Sequence, residues 1–158
     1  MKKTILTITL ILNLLLVNSQ NFTLSELIKI NNYSLDDFDS YVATKGYKFE
    51  KTENTDFSLR TSYAYIKNGC KSQFVSKFIR NVNNSEMVSF QTGNNDTYLK
   101  IKTELKTLGF KLYKTEEQDG ALFFDYIKNK TIVTLCSGID ENEYGYKKPY
   151  YEISVNKP

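Results

Sequence analysis

The feature that most constrains this chain is an internal echo. Val42-Ala43-Thr44-Lys45-Gly46-Tyr47-Lys48-Phe49-Glu50-Lys51-Thr52-Glu53 reappears as Leu105-Lys106-Thr107-Leu108-Gly109-Phe110-Lys111-Leu112-Tyr113-Lys114-Thr115-Glu116, at a constant offset of 63 residues. The glycine, a lysine and the Lys-Thr-Glu triplet coincide, and apolar positions stay apolar. Further on, Tyr65-Ile66-Lys67-Asn68 matches Tyr126-Ile127-Lys128-Asn129 at an offset of 61, a two-residue change placed in the turn between the blocks. Repeats in a fixed order fix architecture before any single motif does.

Each half reads as one helix followed by strands. Leu35, Phe38, Tyr41 and Val42 share a helical face, as do Tyr98, Ile101, Leu105 and Leu108. Ser34 with Asp37 three residues on predicts a capped start, and Asp36, Asp37 and Asp39 suit the positive end of the helix dipole. Gly46 and Gly109 are placed to end the helices. The runs Tyr47–Thr52 and Phe110–Thr115 are expected first strands. Phe57, Leu59, Tyr63 and Tyr65 alternate with smaller or polar residues, the period of a half-buried strand, and Leu122, Phe124 and Tyr126 begin its counterpart. Gln73–Val82 and Ile132–Cys136 are the next strands, and Glu86–Thr92 and Tyr150–Val155 the last. Asn68-Gly69 is a hairpin signal, with Asn129-Lys130 in the same place in the second half. Strands joined by short turns are antiparallel. The predicted fold is therefore α+β: two tandem α-β-β-β-β repeats, with antiparallel sheets covered by helices. The extents are 21–93, with an extra helix over Thr23–Ile30, and 94–158.

Residues 1–20 read differently. Lys2 and Lys3 precede an uncharged, Ile- and Leu-rich run from Thr4 to Val17, and Val17-Asn18-Ser19 resembles a cleavage site. The run is shorter than the roughly 20 apolar residues a membrane span needs, and Asn13 interrupts it. A signal peptide cut after Ser19 or Gln20 is expected. The mature protein would then lie in the periplasm or outside the cell, with no stable span; the Lys/Asn/Ile/Tyr-rich composition is of a bacterial kind.

The net charge of +3 falls to about +1 without Lys2 and Lys3, which gives no basic field for nucleic acid or an anionic membrane surface. The sequence contains no histidine, so Ser-His-Asp and Cys-His catalysis and histidine metal sites are excluded. The two cysteines, Cys70 and Cys136, are too few for a structural zinc site and too far apart in sequence for Cys-x-x-Cys redox chemistry. In an exported chain they either pair or stay as small buried apolar groups, and both readings stand. No glycine-rich phosphate loop is present. Asp125 and Glu152 are the candidates for a carboxylate pair, although alternation sends Asp125 to a solvated strand face. Asp140 and Asn142, with Gly145 at the sixth position, match the start of a calcium loop; Tyr144 and Tyr151 fall where the loop would need oxygen ligands. A cofactor is not called for.

Tyrosine clusters late in the chain. Alternation turns Tyr151 inward with Ile153 and Val155 and leaves Tyr150 on the other face. Tyr65, Tyr126, Tyr144 and Tyr150 are the candidate binding residues, since tyrosine offers rigid amphipathic contact area. Strand packing alone also uses tyrosine.

The two blocks, with Leu24–Ile30 as the first helix of a helix-loop-helix, resemble the β-lactamase-inhibitor-protein architecture over most of the mature chain. The resemblance is architectural. The second half lacks the extra helix, the cysteines occupy non-equivalent repeat positions, and no inhibitory residue carries over. It implies a concave sheet that binds protein. The expected function is that of an exported, non-enzymatic binding protein whose partner is another secreted or envelope protein. The alternatives are an envelope accessory protein pairing through a sheet edge, and a carboxylate-dependent hydrolase.

Overall fold

The computed structural model describes residues 21–81, 85–141 and 145–157. The expected signal peptide, 1–20, lies outside them. Three helices lie on one face of an eight-stranded antiparallel sheet. The helices are α1 (Leu24–Asn31), α2 (Leu35–Thr44) and α3 (Asn95–Thr107). The strands are β1 (Lys48–Asn54), β2 (Ser58–Lys67), β3 (Cys70–Arg80), β4 (Glu86–Thr92), β5 (Lys111–Gln118), β6 (Ala121–Lys128), β7 (Thr131–Glu141) and β8 (Lys147–Lys157). The order across the sheet is β1-β2-β3-β4-β8-β7-β6-β5. The two meanders join through their last strands, Ser89 facing Ser154, into one continuous sheet.

The helix ends follow local chemistry. Thr23 and Glu26 form a capping box: the Glu26 N–H donates to Thr23 Oγ1 (3.2 Å) and the Thr23 N–H to Glu26 Oε2 (2.8 Å). Ser34 caps α2 through the Asp37 N–H (3.1 Å), as the sequence predicts. Asn94 caps α3, accepting from the N–H groups of Asp96 and Thr97. Past α2 and α3, Gly46 and Gly109 take left-handed backbone (φ 84° and 77°), and each N–H closes the helix on a carbonyl three residues back.

Bulges fall between Phe49 and Lys51 in the β1–β2 ladder and between Leu112 and Lys114 in the β5–β6 ladder. The turns that follow are equal in length. The two-residue change expected between the blocks lies instead in the β2–β3 hairpin, which runs further before its Asn68-Gly69 tip and carries its own register shift at Tyr65/Ile66. In consequence Tyr126, opposite Leu112, stands where Tyr63 stands opposite Phe49; the matching of Tyr126 with Tyr65 is corrected by the register. Strands β7 and β8 extend well past the expected Ile132–Cys136 and Tyr150–Val155. Their outer ends form a polar ribbon, Asp140 facing Lys148 and Glu141 facing Lys147, which has no apolar alternation to announce it.

The core lies between the helices and the alternate strand residues Tyr63, Val75, Val88, Phe90, Val133, Leu135, Ile153 and Val155. Helix α1, which has no counterpart in the second half, packs Leu24, Leu27 and Ile30 over the β4–β8 junction. Glu26 ties it to α2, accepting from Tyr41 Oη (2.8 Å) and pairing with Lys45 (2.8 Å); the Leu24 N–H donates to Glu104 of α3 (2.8 Å). Lys77 is the one charged side chain buried beneath the helices among the described residues. Its ammonium donates to the Asn31 carbonyl (3.1 Å) and Glu86 (2.5 Å), so its charge is paired.

Candidate functional site

A strand sends successive side chains to opposite faces. The residues that alternate with the core therefore form the second face, and among the described residues no helix covers it. Cross-strand register lines up one row over the full sheet: Lys51, Ser62, Ser76, Ser89, Ser154, Thr134, Asp125, Lys114. Ser62 and Ser76 share a hydrogen bond (2.9 Å), and Thr134 donates to Asp125 (2.6 Å). Ser62, Ser76 and Ser89 are only 5%, 3% and 5% exposed. Small hydroxyls on an uncovered face are that hidden only when larger neighbours rise around them. Arg60, Phe78, Met87, Asn156, Ile132 and Ile127 form the row on one side. Phe74, Gln91, Glu152, Cys136 and Phe123 form the row on the other. The hydroxyl row is the floor of a trough with apolar and aromatic banks.

Glu152 is its polar hub. One carboxylate oxygen accepts from Ser89 (2.5 Å) and Ser154 (3.2 Å), the other from Gln91 Nε2 (2.9 Å). These contacts draw it toward β4, away from Asp125, which is on β6 and bound to Thr134. The two acids named from the sequence share a face but are not brought together as a pair. Beside Glu152 opens a cavity of about 620 Å³, lined by Phe74, Gln91, Tyr150 and Glu152, with Lys71 and Lys148 at its rim.

Tyr150 is held in a set position. A Cβ on Gly138, directly opposite in β7, would fall 2.6 Å from the tyrosine ring, so only glycine lets the ring lie there. The Cys136 thiol donates to the tyrosine hydroxyl (3.8 Å). Burial pushes the Cys136 thiol up, partly offset by the Tyr150 hydroxyl, and the Glu152 charge adds to the rise. Burial and the Cys136 contact raise Tyr150 as well. Both groups are neutral at neutral pH, so Cys136 is a packing thiol and not an activated nucleophile.

The four tyrosines named from the sequence do not form one surface patch. Tyr126 is 8% exposed and part of the core, because alternation puts it on the helix side. Tyr65 is on that side too, its ring 5.7 Å from that of Tyr47. Tyr150 alone of the described three is on the open face. Tyr144 and Asn142 lie outside the described residues. Asp140 sits in the β7–β8 ribbon opposite Lys148, and no group of three metal-binding side chains occurs among the described residues. Cys70 is exposed, Cys136 is buried, and both are free. Their strands, β3 and β7, are separated by β4 and β8, about 14 Å at the usual strand spacing, so the alternative of pairing is closed by sheet order.

Sequence reasoning missed Phe74, Phe78, Met87, Phe123, Ile127 and Ile132, the banks of the trough. A signal existed. The run Phe74-Val75-Ser76-Lys77-Phe78-Ile79 is apolar on both faces of its strand, which a sheet with helices on one side does not need. The outer strands β1 and β5 carry bulges and the charges Lys48, Glu50, Lys51, Glu53, Lys111, Lys114, Glu116 and Glu117, devices that discourage pairing with another edge. Comparison with protein-family models, with curated proteins and with solved structures found no match.

Proposed function

We propose that this chain is an exported, non-enzymatic binding protein that seats a partner protein in the trough of its uncovered sheet face. The observation that carries this reading is the bank of half-buried aromatic and aliphatic side chains around a polar floor. Apolar groups left in contact with water on a broad face lower the free energy when a partner covers them. Mixed aromatic and hydrogen-bonding surfaces of this kind are what protein interfaces use at their centres. Export is supported by Lys2 and Lys3 ahead of the uncharged Thr4–Val17 run. A partner in the periplasm or outside the cell follows from that location.

The two halves are read as copies of one α-β-β-β-β unit. The glycines at 46 and 109, and the paired bulges at 49/51 and 112/114, support this at the same offset of 63 as the sequence blocks. Duplication gives a single unit with one apolar and one mixed face a partner of its own kind at β4–β8, and yields an eight-stranded surface from a four-stranded design.

The test is capture from the envelope and medium of the native host, with wild-type protein and a Met87→Lys/Ile132→Lys variant as baits. Both substitutions sit on one bank of the trough. A partner retained by the wild type and lost by the folded variant supports the reading. A partner held equally by both places binding elsewhere.

A further inference from the structure

We infer that the trough receives an arginine side chain of the partner protein, its guanidinium bound at Glu152 between Phe74 and Tyr150. This rests on the reading of the open face as a binding surface and gives it a chemistry. Glu152 is a carboxylate whose three hydrogen bonds all come from neutral donors, and no described lysine or arginine forms an ion pair with it. Of the two lysines at the rim, Lys71 is bound to Glu50, and Lys148 stands opposite Asp140 in the β7–β8 ladder without an ion pair to Glu152.

A carboxylate offers about four lone-pair directions. Ser89 and Ser154 use two on one oxygen and Gln91 uses one on the other, which leaves that second oxygen an acceptor short of a donor. A cationic donor would supply both the missing hydrogen bond and the missing charge. The flanking groups choose the kind of cation. Phe74 is two strands from Glu152 along the same row, and Tyr150 is the next open-face residue of β8, its ring fixed over Gly138. A flat guanidinium stacks on aromatic faces and is weakly hydrated, whereas an ammonium is a compact, strongly hydrated point charge. The cavity of about 620 Å³ has room for the side chain to enter from solvent.

The test is a titration of the isotopically labelled protein, purified after expression of the full chain, with N-acetyl-arginine amide, followed by backbone NMR shifts. Saturable shifts centred on Phe74, Gln91, Tyr150 and Glu152 are expected. Affinity should fall about tenfold or more in Glu152→Gln. The uncharged isostere N-acetyl-citrulline amide should give no saturable shift at these positions. Equal binding of citrulline, shifts centred elsewhere, or unchanged affinity in Glu152→Gln would overturn the assignment. If Glu152→Gln loses its dispersed spectrum, Phe74→Leu takes its place, with a loss of about threefold or more expected from the missing stacking and undiminished affinity counting against the site. Should the arginine probe fail while Met87→Lys/Ile132→Lys still loses an envelope partner, the arginine site falls and the binding face stands.

Discussion

The two faces of this sheet are built from the same strands, one residue out of step, and they obey different rules. Toward the helices, Val75, Val88, Val133, Leu135, Ile153 and Val155 form a close-packed aliphatic layer in which the single charge, Lys77, is paired and bonded to a helix carbonyl. Toward solvent, the alternating positions carry a row of hydroxyls, a glutamate with neutral donors only, and half-buried phenylalanines with nothing described above them. The first face answers the need to bury area. The second keeps apolar and polar groups together at the surface, an arrangement that folding alone does not require and that a partner would use.

The contrast is broken or sharpened most strongly by paired truncations. Phe90, fully buried under the helices, should cost about 3–5 kcal/mol when cut to alanine, because transfer and cavity terms add. Phe74→Ala, on the opposite face of the neighbouring strand, should cost less than about 2 kcal/mol, since that side chain is already partly hydrated. Urea unfolding of the two variants decides. Equal losses would mean that the open face is packed as tightly as the core.

The buried ion pair gives the next effect. Glu86→Gln leaves the Lys77 ammonium buried with a neutral partner and should destabilise by about 3 kcal/mol. Lys77→Met removes the buried charge and leaves Glu86 at the protein edge, where water can reach it, so the cost should be about 1 kcal/mol. The order of the two losses in denaturant unfolding is the check; a larger loss for Lys77→Met would show that the lysine holds α1 through Asn31 more than it balances Glu86.

Much of the covered face was legible from the sequence. The helix positions Phe38, Val42, Ile101 and Leu105 and the strand positions Tyr63, Ile153 and Val155 follow directly from apolar periods of 3.6 and two, and all are buried. The caps at Ser34, Gly46 and Gly109 are local events set by a few residues, and they too were readable. What failed depended on register. The string Tyr-Ile-Lys-Asn occurs in both halves, but a β2 arm that runs two residues further to its turn in the first half shifts which tyrosine faces β1, and nothing within the string reports that. The order β4-β8 at the centre depends on long-range pairing as well, and it alone separates Cys70 from Cys136. The open face was not legible from residue type, since tyrosine does not mark it; position does, as phenylalanines on the face that no described helix covers.

A smaller effect is expected at the helix junction as the pH falls. Burial alone would raise Glu26, but hydrogen bonds from Lys45, the Thr23 N–H and Tyr41, with the Lys45 charge, outweigh it and hold the carboxyl below its ordinary value. Its contribution is therefore complete above the titration range of an unfolded glutamate and is lost as the pH falls through the lower, folded range. Glu26→Gln should flatten the acid limb of the stability–pH curve while changing little at the alkaline side. An unchanged acid limb would show that the junction of α1 with α2 is held by packing and not by this carboxylate.

The smallest expected change in stability separates the two faces most sharply. A methyl at Gly138 would meet the Tyr150 ring at 2.6 Å, closer than side chains approach, so one of them must move. The backbone at Gly138 is held by the β8 ladder, one residue past the end of the β6 ladder, whereas the tyrosine ring is the far end of a side chain with solvent beside it. The ring should swing away and lose its contact with the Cys136 thiol. Alanine recovers about 0.5–1 kcal/mol over glycine within a strand, which offsets much of that loss, and the net stability of Gly138→Ala should stay within about 0.5 kcal/mol of wild type. On the covered face an approach as close as 2.6 Å would have no such outlet and would cost about 1–3 kcal/mol. The NMR signals of Tyr150 and Cys136 should move in Gly138→Ala, and binding of the arginine probe should weaken, while the unfolding midpoint barely changes. A large drop in the midpoint would instead make Tyr150 a structural prop, and the open face would then share the close packing of the covered one.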